Sequence, residues 1–222
     1  MTHLTRRAVL LGVAGACVVR GASADAAPLT PAPSAPLPPL DTVLAEIARA
    51  RSSLRTLVGP FTQERVIGLL KSKIRSTGTL TLVRPDRLRW ELGPPDDVVY
   101  WMTPAGLAYK GRSGQGSLRN PAANVSAALD DVRTLLGGDL NALRNHYELR
   151  LIARDATEVA FEATPLPGDA GTPRLKRLAF ALAPDLVRPV RATLIESARD
   201  KTEITFGTLA RDVDVDPAKM SP

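Results

Sequence analysis

From Gly78 to Glu91 apolar and polar positions alternate with a period of two. Leu80 and Leu82 are set among Thr79, Thr81 and Val83, and past a break at Arg84-Pro85, Leu88, Trp90 and Leu92 are set among Arg87, Arg89 and Glu91. Such alternation gives a strand one apolar face. Related signals predict strands at about 61–69, 75–83, 87–93, 97–102 and 107–110, turned by Pro94-Pro95-Asp96-Asp97 and Pro104-Ala105-Gly106. This is the spacing of an antiparallel meander. Further strands are predicted near 147–153, 157–164, 174–183, 190–197 and 202–209, with a loose hairpin end between Pro165 and Pro173.

Helical periodicity is confined to short stretches. Asp41 is placed to cap a helix running to about Leu57, with Leu40, Val43, Leu44, Ile47 and Leu54 as its apolar stripe, Arg49, Arg51 and Arg55 mostly outside it, and Gly59-Pro60 as its stop. The segment 111–124, rich in Gly, Ser, Asn and Pro, reads as a mobile loop. It leads into a short helix over 126–136 with Ala128, Leu129, Val132, Leu135 and Leu136 on one side and Gly137-Gly138 at its end. A second short helix starts at Asp139 and carries Leu140 and Leu143. One helix, strands, two short helices and more strands predict an α+β fold on a single, highly curved antiparallel sheet.

The 222 residues are enough for one domain plus appendages. Residues 1–26 carry the parts of an export signal: Thr5-Arg6-Arg7 resembles a twin-arginine motif, Ala8 to Val19 is an apolar run too short to span a membrane, and Ala24-Asp25-Ala26 is a small-x-small cleavage pattern. Removing this segment lowers the formal net charge from +6 to about +4. Residues 27–39, with six prolines from Pro28 to Pro39, form a linker of extended polyproline character, and 40–222 form the domain. The single cysteine, Cys17, lies in the apolar run. Ala14-Gly15-Ala16-Cys17 resembles a lipobox with Ala14 in place of the usual Leu, so the alternative to a soluble periplasmic protein is one lipid-anchored through Cys17.

Catalytic and metal-binding patterns are missing. Beyond the export signal the chain has one histidine, His146, and no cysteine, so a nucleophile–base pair or a ligand cluster cannot be assembled from those residues. Gly111-Arg112-Ser113-Gly114-Gln115 lacks the last glycine of a nucleophile elbow. Adjacent acids such as Asp96-Asp97 and Asp130-Asp131 point apart, and Asn124-Val125-Ser126 matches a glycosylation sequon behind a bacterial-type signal. No cofactor is expected. Lys and Arg are dispersed over strands without aromatic platforms, a phosphate loop or a recognition helix, which excludes a nucleic-acid partner. A secreted hydrolase is the least supported function class. Aromatics make up only 4% of the chain, so any cavity must be lined mainly by Leu, Val, Ile and Ala.

The combination Phe61-Thr62-Gln63, Gly78-x-Leu80-x-Leu82-x-Arg84-Pro85-x-x-Leu88-x-Trp90, a Pro-containing turn and an aromatic strand resembles the periplasmic carrier family of outer-membrane lipoprotein chaperones, LolA and its relatives, over about residues 40–215. The resemblance implies an incomplete, half-open barrel with short lid helices over a hydrophobic cavity for acyl chains of lipoproteins or lipids. It further implies a monomer that exchanges cargo with an inner-membrane donor and an outer-membrane acceptor. On this reading the cavity is lined by Leu80, Leu82, Leu88, Trp90, Leu92, Val99, Trp101, Phe180 and Phe206. Leu129, Val132, Leu135 and Leu136 form the lid, and Arg84 locks it by hydrogen bonds to lid carbonyls. Asp200 to Phe206 resembles the family's acidic turn and Thr-x-Ile-x-Phe hairpin, after which the pattern is lost, so different cargo handling is expected. The alternative within this fold is a membrane-anchored acceptor or envelope sensor that binds a protein partner at the cavity mouth.

Overall fold

The structure, a computed structural model, describes residues 36–68, 72–119, 131–167 and 175–222. The export signal with Cys17, most of the proline-rich linker, Leu129, the 124–126 sequon and most of the 165–173 hairpin end lie outside the described residues.

The first element is an α-helix, α1 (Leu40–Arg51), which buries Val43, Leu44 and Ile47 and, at its last position, Arg51. Its N-cap is Pro39, with Asp41 inside the first turn, where a carboxylate suits the helix dipole. The helix stops at Arg51 instead of reaching Leu57. Thr56 and Val58 are β-branched and join a strand, while Leu57 is fully buried opposite Leu82.

Twelve strands follow among the described residues: β1 (Thr56–Ile67), β2 (Ser72–Val83), β3 (Arg87–Leu92), β4 (Val98–Thr103), β5 (Gly106–Gly111), β6 (Gly114–Arg119), β7 (Tyr147–Arg154), β8 (Val159–Pro165), β9 (Arg177–Leu182), β10 (Pro189–Ile195), β11 (Lys201–Phe206) and β12 (Ala210–Arg211). They form one sheet in the order β6-β5-β4-β3-β2-β1-β11-β10-β9-β8-β7, with β12 also beside β1. Two antiparallel meanders, β1–β6 and β7–β11, are therefore joined along the β1–β11 pair. The sheet is curved and open, not closed into a barrel.

Gly59-Pro60, expected to stop a helix, instead lies within β1. The carbonyl of Pro60 accepts from the Gly207 N–H (2.8 Å), so the imide nitrogen of Pro60 also faces that side, where β1 changes partner from β11 to β12. No ladder donor toward β2 is lost. A side chain on Gly59 would meet the Thr208 carbonyl oxygen at 2.6 Å, so the crossing chain needs a glycine there. Residues 114–119, read as loop, pair with β5: Gly114 takes the positive φ (133°) of the hairpin, and the Tyr109 ring lies over Gly116 opposite it. Pairing overrides the poor strand propensity of this glycine-rich stretch.

Register divides the sheet into two faces. Leu57, Leu80, Leu82, Leu88, Trp90, Phe61, Phe206, Ile204, Ala192, Phe180, Phe161 and Leu149 share the inner face and one apolar core with α1. The outer face carries cross-strand ion pairs such as Glu64–Lys73, Glu158–Arg191 and Glu162–Arg177. Such exposed pairs contribute little to stability and keep that face wet.

Candidate functional site

The residues described ahead of β7, 131–146, lie on the inner face. Residues 131–137 are helical (α2), and after Gly138 and Asp139 comes a 3-10 turn, Leu140–Asn145, where a second short helix was expected. Gly137 permits the close approach of α2 to the sheet, since a side chain there would meet the Leu82 methyl at 2.4 Å.

Under α2 lies a cavity of about 330 Å3. Its roof is Val132, Leu135 and Leu136, and its wall and floor are Trp90, Phe206, Ile204, Ala192, Leu194, Leu178, Leu175 and Tyr147, with Asp131 and Glu196 as its carboxylates. An apolar concavity left in water costs roughly 25 cal/mol per Å2. The amphipathic α2 covers it.

Among the described residues, three polar anchors hold that cover. Tyr147 on β7 donates its hydroxyl to the Asp131 carboxylate (2.7 Å), and the Arg133 guanidinium donates to the Asp86 carbonyl in the β2–β3 turn (3.0 Å). The third anchor is Arg51, only 1% exposed, whose guanidinium donates to the carbonyls of Thr134 (3.3 Å), Leu135 (3.1 Å) and Gly138 (3.0 Å) at the end of α2, and to that of Val187 (3.3 Å). The Leu135 and Gly138 carbonyls are of the kind a helix C-terminus leaves without intrahelical partners, at the negative end of its dipole, while the Thr134 carbonyl also accepts from the Gly138 N–H (3.0 Å). A planar fork of donors meets several at once. Burial, and then the neighbouring Arg84, lower the Arg51 pKa to about 10, so the group stays charged at neutral pH.

Arg84 occupies a supporting place. Its guanidinium donates to the carbonyl of Arg51 itself, and its backbone N–H donates to the Arg55 carbonyl (2.9 Å). Among the described residues, the lid carbonyls expected for Arg84 are taken by Arg51. The two arginines act in series: Arg84 holds the end of α1, and α1 presents Arg51 to the end of α2.

Of the proposed lining residues, Trp90 and Phe206 face the cavity, as do Val132, Leu135 and Leu136 from the lid, while Leu129 lies outside the described residues. Leu80, Leu82, Leu88 and Leu92 are on the inner face but are packed into solid core. Phe180 is stacked on Phe161, ring centroids 5.0 Å apart, also in the core. Val99 and Trp101 require correction. Val98, Tyr100 and Met102 pack toward the core, which turns Val99 and Trp101 to the outer face, and there Trp101 donates its indole N–H to the Lys219 carbonyl (2.9 Å) beneath the C-terminal 3-10 turn Pro217–Met220. Arg51 was read as mostly outside the helix stripe, although its place four residues after Ile47 puts it on that stripe. Sequence reasoning missed Ile204, Ala192, Leu194, Leu178, Leu175 and Tyr147; Ile204 and Leu178 were findable by their two-residue spacing from Phe206 and Phe180, whereas Ala192 and Leu194 share the face through their register opposite Phe180 and Leu178.

Among the described residues, no group of His, Cys, Asp or Glu is arranged to hold a metal ion, and no helix is long and apolar enough to cross a membrane.

No protein-family model matches the sequence, and no curated protein matches it. Solved structures do. An uncharacterized conserved protein from Thermus thermophilus is 8% identical, with a TM-score of 0.50 over 81% of this chain and 91% of that one. A LolA superfamily protein from Nitrosomonas europaea is 8% identical, TM-score 0.43, over 82% of this chain and 97% of that one. The MucA/MucB complex of Pseudomonas aeruginosa gives 17% identity and a TM-score of 0.48, over 82% of this chain and 60% of that one. At such identities the likeness is one of fold: the open, curved antiparallel sheet with a helix-covered inner face is shared with the Thermus thermophilus protein.

Proposed function

We propose that the protein is a non-enzymatic carrier of the periplasm that buries the acyl part of a lipid or lipoprotein in the cavity under α2 and releases it when α2 lifts, moving such cargo toward the outer membrane. The observation that carries this reading is the pairing of a largely apolar cavity with a short cover, α2, whose Leu135 and Leu136 pack on the core and which a few polar anchors tie to α1, the β2–β3 turn and β7. An apolar cavity of this size class suits a small ligand, and polar anchors that re-form after opening suit repeated loading and unloading. The export signal predicted for residues 1–26 supports a location where such cargo passes.

Native mass spectrometry of protein purified from its own envelope, followed by solvent extraction, tests the reading. The expected result is a folded protein carrying acyl-containing adducts that are lost on extraction and restored by added lipid. A folded protein that carries no adduct and takes up none from micelles or vesicles overturns it.

A further inference from the structure

Trp90 closes the cavity at one end. Glu196, just past β10, and Leu194 and Ala192 on it step down one wall; Ala192 is opposite Ile204 on β11, the next row along the strands holds Phe206 opposite Phe61, and the row after that holds Trp90 opposite Leu80. Glu196 is exposed and Leu175 beside it half-buried, which marks the side open to solvent, whereas Trp90 is only 8% exposed. From Glu196 to Ala192 is about 13 Å along the strand.

The closed end is backed by a cluster of rings. Trp90 lies on Phe61 with ring centroids 3.9 Å apart and meets Phe206 edge-on at 6.2 Å. Phe61 is itself pinned: a side chain on Gly78 would meet its ring at 2.5 Å, so the phenyl rests directly on the β2 backbone. Trp90 cannot retreat without displacing Phe61, and Phe61 has nowhere to go. Close-packed interiors of this kind transmit strain instead of yielding.

We propose that Trp90 is a chain-length stop, and that the site takes one single acyl chain of medium length. This rests on the reading that the cavity holds acyl chains. A methylene occupies roughly the ~30 Å3 share of a water molecule, so the cavity volume of about 330 Å3 admits about ten carbons. Trimming the Trp90 indole opens room for about four more.

Monoacyl phosphocholines with chains graded from about eight to about sixteen carbons, titrated into the purified protein by calorimetry below their micellar concentrations, test the proposal. Each buried methylene is worth about 0.8 kcal/mol, so affinity should tighten roughly fourfold per carbon, and the gain should stop near ten carbons. In Trp90→Ala the break should move up by about four carbons. Trp90→Leu, which keeps apolar packing if the alanine variant fails to fold, should move it by a smaller step in the same direction. A wild-type affinity that keeps rising through sixteen carbons, or a break unmoved in a folded Trp90 variant, overturns the stop while leaving the carrier reading intact. Absence of binding at every length overturns the carrier reading, and the stop with it.

Discussion

Arg51 shows how much one side chain decides here. It sits where a helix stripe would ordinarily place Leu or Ile, and burying its charge is tolerable only because four carbonyls converge on it. Arg51→Met preserves the apolar stem and removes this donor from all four carbonyls, of which that of Thr134 still accepts from the Gly138 N–H. Each buried acceptor left unpaired costs about 1–3 kcal/mol, so the variant should lose roughly 2 kcal/mol or more in chemical denaturation. Amides of 131–137 should exchange hydrogen far faster than in the wild type. Arg84→Leu should have the same direction and a smaller effect, since it acts through α1. Protection of 131–137 that is unchanged in a folded Arg51→Met would mean that packing of Leu135 and Leu136 alone holds α2. In the sequence Arg51 was easy to pass over, because a charged residue at the end of an exposed helix looks the same as one serving a second helix end distant along the chain. Only the fold brings the two ends together.

At the scale of elements, the strands were legible and the helix borders were not. Alternation from Thr79 to Leu92 and again from Lys201 to Phe206 marks strands that keep one face in the core. Periodicity cannot say which face a strand turns inward when both carry large apolar groups, and β4, with Val98, Val99, Tyr100, Trp101 and Met102 in succession, was misassigned for that reason. The turn between β9 and β10 carries a dependence on acidity. Burial disfavours the charged form of Asp185, but donation from the backbone N–H groups of Val187 and Arg188 (both 3.1 Å) and from the Arg188 guanidinium (2.7 Å) outweighs it and holds the carboxyl below its usual range. A carboxylate lowered in the folded state stabilises above its unfolded pKa, about 3.9, and that contribution is lost as pH falls through the lower folded value. Because the same turn presents the Val187 carbonyl to Arg51, exchange at 131–137 should rise in acid below that range. Asp185→Asn should show raised exchange already at neutral pH and a flatter acid response. Parallel pH profiles in the two proteins would uncouple the turn from the lid.

Across the described residues, two meanders meet along one strand pair, and residues 131–137, between them in the chain, supply the cover. That arrangement leaves each face of the sheet with a distinct character, and the chain's two tryptophans fall one on each. Trp90 looks into the cavity and Trp101, on the neighbouring strand, lies outside under the Pro217–Met220 turn. The protein therefore contains two separate optical channels, one per face of a single sheet. Acyl chains brominated near the terminal methyl should quench the emission of Trp90 in a Trp101→Phe variant and leave that of Trp101 in Trp90→Phe untouched. Equal quenching of both would put the chain somewhere other than beneath α2. The same pair of indoles would also distinguish a lifting of the cover, which alters the surroundings of Trp90 alone, from a loosening of the sheet, which neither indole could escape.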